Sequence, residues 1–149
     1  MCRVLHKNAA LMKARSIGFS EINASLAARL YTTIKRSRTM ITCFKDTYLN
    51  GTFSKLDHAL TFINTNADGF FKPRLTDKAL EKKSGYQVKI DGQFTDFGWR
   101  SVVIGINGSK PSNIRGDRVD LLIYDEAGCH AAGTKVLMFD GSTKNVEDI

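Results

Sequence analysis

The sequence predicts an α/β fold: part of a parallel β-sheet with flanking helices, followed by a short β-hairpin. Three observations predict it. The run Val119-Asp120-Leu121-Leu122-Ile123-Tyr124 is apolar enough for a parallel strand buried on both faces, and it ends in Asp125 and Glu126. Gly18 precedes a stretch with helical spacing, which leads into a strand-like run over residues 39–44. Near the carboxyl terminus, Asp140-Gly141 separates two further strand-like runs.

The chain has 149 residues, enough for one core of ordinary size. Hydrophobic residues make up 42% and charged residues 25%, the proportions of a globular protein. No apolar run approaches the roughly twenty residues of a membrane span, and Met1-Cys2-Arg3-Val4-Leu5-His6-Lys7 lacks a signal peptide's apolar region. This predicts an intracellular protein without a membrane partner. The cysteines, Cys2, Cys43 and Cys129, are odd in number and show no paired metal-ligand spacing, which argues against a disulfide framework or a zinc site. Of the formal net charge of +7, residues 129–149 contribute −1 (Lys135 and Lys144 against Asp140, Glu147 and Asp148), which leaves +8 on residues 1–128. That excess suits either contact with nucleic-acid phosphates or a solvated surface.

Taken in order, residues 9–14 predict a short strand, broken by Arg15-Ser16-Ile17-Gly18. A helix follows from Ser20, whose hydroxyl can cap it. Its apolar stripe is Ile22, Leu26, Leu30 and Ile34, widened by Ala27 and Tyr31. Strand, glycine turn and helix make up the P-loop plan, in which the turn aims backbone N–H groups and the positive end of the helix dipole at a phosphate. Against the pattern G-x-x-x-x-G-K-[ST], the segment Lys13-Ala14-Arg15-Ser16-Ile17-Gly18-Phe19-Ser20 keeps Gly18 and Ser20. It has Lys13 at the first glycine and Phe19 at the usual lysine, so Lys13 or Arg15 would have to supply the phosphate-binding charge. An ordinary strand-to-helix turn is the alternative.

Residues 39–44 then predict a strand, completing a parallel β–α–β unit. Leu56, Leu60 and Ile63 give residues 53–63 helical spacing, with His58 on the helix surface. Residues 64–83, with Gly69, Pro73 and many charges, predict loop with at most a short helix. Residues 86–90 alternate and meet the turn Asp91-Gly92, which leads to Gln93-Phe94 and on to an apolar strand over 101–106. A loop over 107–116 precedes the acidic strand, and the Arg115-Gly116-Asp117 triplet in that setting reads as accidental. In open α/β sheets ligands bind outside the carboxyl ends of the strands. Adjacent acids there can hold a hydrated magnesium ion and orient an attacking water, which is the Walker B arrangement.

The loop around Lys13, Arg15, Gly18 and Ser20, followed by Ile114-Arg115-Gly116-Asp117-Arg118-Val119-Asp120-Leu121-Leu122-Ile123-Tyr124-Asp125-Glu126-Ala127, resembles the ATPase half of a tailed-phage terminase large subunit. The likeness covers roughly residues 9–128. It implies a P-loop NTPase sheet that uses ATP and Mg2+, with Lys13, Arg15, Gly18 and Ser20 binding the triphosphate. Asp125 and Ser20 would hold the magnesium, and Glu126 would activate water. It also implies work on double-stranded DNA with a portal and a small terminase subunit, in the cytoplasm of an infected bacterium. Nothing resembling the family's nuclease domain is present.

After Gly128 the likeness changes. Cys129-His130-Ala131-Ala132-Gly133-Thr134-Lys135-Val136-Leu137-Met138-Phe139-Asp140-Gly141-Ser142-Thr143-Lys144-Asn145-Val146-Glu147-Asp148-Ile149 resembles the opening block of an intein, with a Hint-type fold. Residues 134–139 and 143–149 are its strands, and Asp140-Gly141 its turn. The implied chemistry is attack by the Cys129 thiol on the carbonyl of Gly128, which has no side chain to obstruct it. An intein's later block, terminal asparagine and downstream nucleophile would come from a complementary carboxyl-terminal intein and terminase chain. The expected organisation is therefore a partial terminase ATPase domain over 1–128 and an intein amino-terminal fragment over 129–149, joined to its partner by trans-splicing. The alternatives are a truncated gene or partial read of an unsplit intein-containing terminase, a different P-loop ATPase, and a nucleic-acid-binding module.

Overall fold

The computed structural model describes residues 18–67, 74–108 and 118–125, and from the carboxyl-terminal part residues 133, 135–138, 141–145 and 148. The predicted strand over 9–14 and most of the loop over 107–116 lie outside the described residues. The architecture is mixed α/β, with two helices against a sheet that contains parallel strands.

At the centre runs β1 (Arg38–Cys43), five of whose six residues are buried. It pairs in parallel with β6 (Val102–Asn107) on one side and β7 (Leu121–Asp125) on the other. At the amino ends, Asp120 Oδ2 accepts the Arg38 N–H at 2.9 Å and Arg38 O accepts the Asp120 N–H at 2.8 Å, which fixes the β1–β7 register. A hairpin of β2 (Arg74–Lys78) and β3 (Glu81–Ser84) adds antiparallel to β6, giving the order β2-β3-β6-β1-β7.

Helices α1 (Phe19–Thr33) and α2 (Asp46–Asn66) cover one face of this sheet. Side chains alternate along a strand, so Ile41 and Cys43, Val103, and Ile123 point into the core that the helices close. The predicted stripe of α1 is offset. Ile22 and Leu26 are 58% and 39% exposed, while the buried set Ala24, Ala27, Ala28 and Tyr31 is itself an i, i+3, i+4, i+7 row. Alanines there let α1 lie close to α2 and the strands, a volume constraint that outweighs the hydrophobicity of Ile22 and Leu26.

The helix over 53–63 starts seven residues earlier than expected and runs to Asn66. Gly51 lies inside this helix, where glycine costs only about 1 kcal/mol. Burial of Leu49 and Phe53 on either side of it offsets this. The expectation of loop over 64–83 also fails. Strands β2 and β3 are rich in charge, and their charges are satisfied in pairs: Lys82, only 3% exposed, has its Nζ 2.7 Å from Asp77 Oδ1 and 2.9 Å from Asp57 Oδ1 of α2.

The remaining hairpins follow their turn residues. β4 (Tyr86–Ile90) and β5 (Gln93–Phe97) form a separate antiparallel pair, turned by Asp91 and Gly92 with φ of 50° and 82°, the two positive values a tight hairpin turn requires. Tyr86 stacks on Phe97 with ring centroids 6.2 Å apart. β8 (Lys135–Leu137) and β9 (Thr143–Asn145) pair antiparallel, with Gly141 at φ 82° between them; both strands are shorter than predicted. Among the described residues, no helix is long and apolar enough to cross a membrane.

One expectation for β7 needs correction. It is a parallel strand, but it is not buried on both faces: Ile123 and Asp125 are buried on the helix side, whereas Leu122 is 48% exposed. β7 is the edge of the described sheet, and its apolar residues on the second face have the exposure of an edge strand.

Candidate functional site

The parallel register brings Asn107, Cys43 and Asp125 level at the carboxyl ends of β6, β1 and β7. The amino end of α1 is delivered to the same edge by length. Its carboxyl end is held at the opposite edge, where Trp99 Nε1 donates to Tyr31 O at 3.0 Å, Ser37 Oγ to Leu30 O at 2.9 Å and Ser101 Oγ to Ile34 O at 2.6 Å. The Trp99 bond reaches a carbonyl of the last helical turn, and the two serines add second donors to the Leu30 and Ile34 carbonyls, which already accept the Ile34 and Ser37 N–H groups. From there fifteen residues span about 22 Å at 1.5 Å each, close to the roughly 20 Å of a six-residue strand.

Gly18 is the N-cap of α1, at φ 75° and ψ 19°, the left-handed region that glycine enters freely. Its carbonyl accepts the Glu21 N–H at 2.9 Å and the Ile22 N–H at 3.2 Å. Ser20 was expected to cap this helix. Instead it lies inside the first turn, and its Oγ donates to Asp125 Oδ2 at 3.0 Å, across 105 residues of sequence. Asp125 is 3% exposed. A second hydroxyl reaches the same oxygen: Thr52 Oγ1 of α2 lies 3.4 Å from Asp125 Oδ2 and 3.1 Å from Tyr48 O. At the rim, Asn107 Nδ2 donates to Asp46 Oδ1 at 2.7 Å, and the Lys55–Glu21 ion pair at 3.6 Å links the two helices.

Sequence motifs and fold together bring Gly18, Ser20 and Asp125 to one edge of the sheet. Lys13, Arg15, Glu126, Gly128 and Cys129 lie outside the described residues. Thr52 was missed from sequence, although a signal exists: it is a hydroxyl inside the buried row Leu49, Thr52, Phe53, Leu56, Leu60. His58 is exposed on α2, as expected, beside an open groove of about 540 Å³ that also involves Glu21, Arg29, Lys55 and Phe62 and does not reach Asp125.

The donors suit a hydrated magnesium ion. A buried carboxylate and a hydroxyl 3.0 Å apart are hard oxygen ligands. Among the described residues no cluster of three His, Cys, Asp or Glu could form an all-protein cage. Magnesium is commonly held by one or two carboxylates, with water and phosphate oxygens completing its shell.

The fold and site define a class: an α/β protein with an acid at the carboxyl end of a parallel strand, held by a hydroxyl from the amino end of a helix. No protein-family model matches the chain, and neither the curated proteins nor the solved structures compared with it provide a match.

Proposed function

We propose that the chain is a precursor in which residues 1–128 are the amino-terminal part of a DNA-packaging terminase ATPase and residues 129–149 the amino-terminal part of an intein. The single observation that carries the ATPase reading is the Ser20–Asp125 hydrogen bond. A P-loop site requires the hydroxyl two residues after the loop glycine to meet the acid ending a distant parallel strand, and Ser20 and Asp125 meet that requirement across 105 residues. The β8–β9 hairpin around Gly141 supports the intein reading, since the opening block pairs two strands across an Asp-Gly turn.

In this reading Lys13, Arg15 and the amino end of α1 bind the ATP phosphates, and Ser20 and Asp125 would hold magnesium. The ion would neutralise charge on the phosphates. Glu126 accepts a proton from the attacking water. Double-stranded DNA, the portal and the small terminase subunit are the partners of the finished enzyme, in the host cytoplasm.

Splicing begins at the junction. The Cys129 sulfur bonds to the Gly128 carbonyl carbon, the peptide C–N bond breaks, and the thiol proton passes to the released Cys129 nitrogen, leaving a thioester. The complementary chain supplies the rest of the intein and the acceptor nucleophile.

The test is intact-mass measurement after mixing the chain with a complementary carboxyl-terminal intein partner. Loss of residues 129–149 and a new peptide bond after Gly128 are expected, with added thiol intercepting a fragment that ends at Gly128. Cys129→Ala should abolish ligation while Cys43→Ala permits it. Undiminished ligation by the Cys129→Ala chain would refute the splicing reading. Other P-loop motors share the Ser20–Asp125 geometry; DNA-stimulated hydrolysis coupled to prohead filling by the ligated product distinguishes the terminase.

A further inference from the structure

We propose that Thr52 is a positioning residue for Asp125, holding its carboxylate in the orientation that receives a divalent cation; this rests on the ATP-site reading above. Thr52 is 2% exposed and sits on α2, a different element from Ser20. Both hydroxyls address one atom, Asp125 Oδ2, at 3.0 and 3.4 Å. Two hydroxyls reaching the same oxygen from two helices restrict the rotation of the carboxylate more than one does.

The Thr52 hydroxyl has one proton and two acceptors within reach, Asp125 Oδ2 and Tyr48 O. A bond to the carbonyl four residues back is the usual resource of a helical threonine. An ionised carboxylate is the stronger acceptor of the two. The position is also selective in size. Thr52 adjoins Phe53, whose ring packs against Gly105 of β6, so α2 is held at a fixed height above the strand ends. Groups that orient a metal's ligands typically change metal affinity by 10- to 100-fold when removed.

The experiment uses the full chain and Mn2+ with ATP as the probe, read by electron paramagnetic resonance of free and bound Mn2+. Thr52→Val, of nearly the same shape, should weaken Mn2+ binding about tenfold. Thr52→Ser, which keeps the hydroxyl and loses the methyl, should stay near the parent. Asp125→Asn should remove the site. A urea-unfolding double-mutant cycle between Thr52→Val and Asp125→Asn should depart from additivity, a readout that needs no metal. Parent-like Mn2+ affinity in Thr52→Val, or equal losses in Thr52→Val and Thr52→Ser, overturns the role of the hydroxyl while leaving the ATP site standing. Failure of the parent chain to bind Mn2+ with ATP overturns the ATP-site reading, and the positioning role with it.

Discussion

Gly105→Ala should destabilise the protein, although alanine is ordinarily the better residue in regular structure. Gly105 lies in β6, paired on both sides. A Cβ built there would stand 2.7 Å from Phe53 Cε2, 3.1 Å from Cζ and 3.2 Å from Leu80 Cδ2. Carbon atoms prefer about 3.5–4.0 Å, so the Phe53 ring must retreat by about 1 Å. It is 1% exposed and in the core cluster, and it has nowhere to go without moving α2. Overpacking of this kind costs about 1–3 kcal/mol. Removing a glycine from the unfolded chain returns about 0.4–1 kcal/mol. The net loss is about 1–2 kcal/mol, a fall in Tm of about 2–8 °C for a chain of this size. Urea unfolding followed by circular dichroism measures it. Phe53→Leu placed in the Gly105→Ala background should recover part of the loss, so that the two changes are not additive. Unchanged stability in Gly105→Ala, or strict additivity of the pair, would refute the contact as the reason for glycine.

Lys82→Met should cost about 1–2 kcal/mol, below the 3–5 kcal/mol of a fully buried pair, because Asp57 and Asp77 side chains are 39% and 46% exposed and stay hydrated; urea midpoints check this, and a stabilised variant would contradict it. Hydrogen bonds from Lys83 and then Gln87 hold the Asp96 carboxyl below the ordinary aspartate value against the opposing effect of desolvation, with the Lys83 and Arg100 charges assisting. A lowered folded value means stability that is complete above the ordinary aspartate range and is lost as pH falls through the folded value; Asp96→Asn should flatten that acid slope in urea midpoints taken at a series of pH values, and an unaltered slope would count against it.

What the sequence makes legible is local chemistry. Asp91-Gly92 and Asp140-Gly141 specify hairpins because the turn needs residues that tolerate positive φ, and the structure has φ of 82° at both glycines. The apolar runs that became β1 and β6 are likewise readable within one or two residues. What escapes notice depends on distant neighbours. β3 hides behind Lys82, whose burial makes sense only beside Asp57, 25 residues earlier, and Asp77 across the hairpin. The buried row of α1 is set by the closeness of α2, so Ala24 and Ala28 outrank Ile22. At the site, Ser20 and Asp125 were each singled out by motif, but their bond to each other, and the approach of Thr52 across 73 residues, are products of the tertiary fold.

The placement of β1 also dictates when this sheet can close. Both of its edges are occupied by strands made much later: Arg38 pairs with Val102, and Thr39 with Leu121. At the 5–20 residues per second of synthesis, about 4 to 17 seconds separate the appearance of Arg38 from that of Asp125. During that interval the most fully buried of the described strands has no permanent neighbours, and α1 and α2 are the elements at hand to shield it. Closure of the β1–β7 ladder then coincides with emergence of the segment around Cys129. A nascent chain thus reaches its proposed junction just as its own core is sealed, and until then the order of translation leaves β1 dependent on α1 and α2 to keep it from meeting another copy.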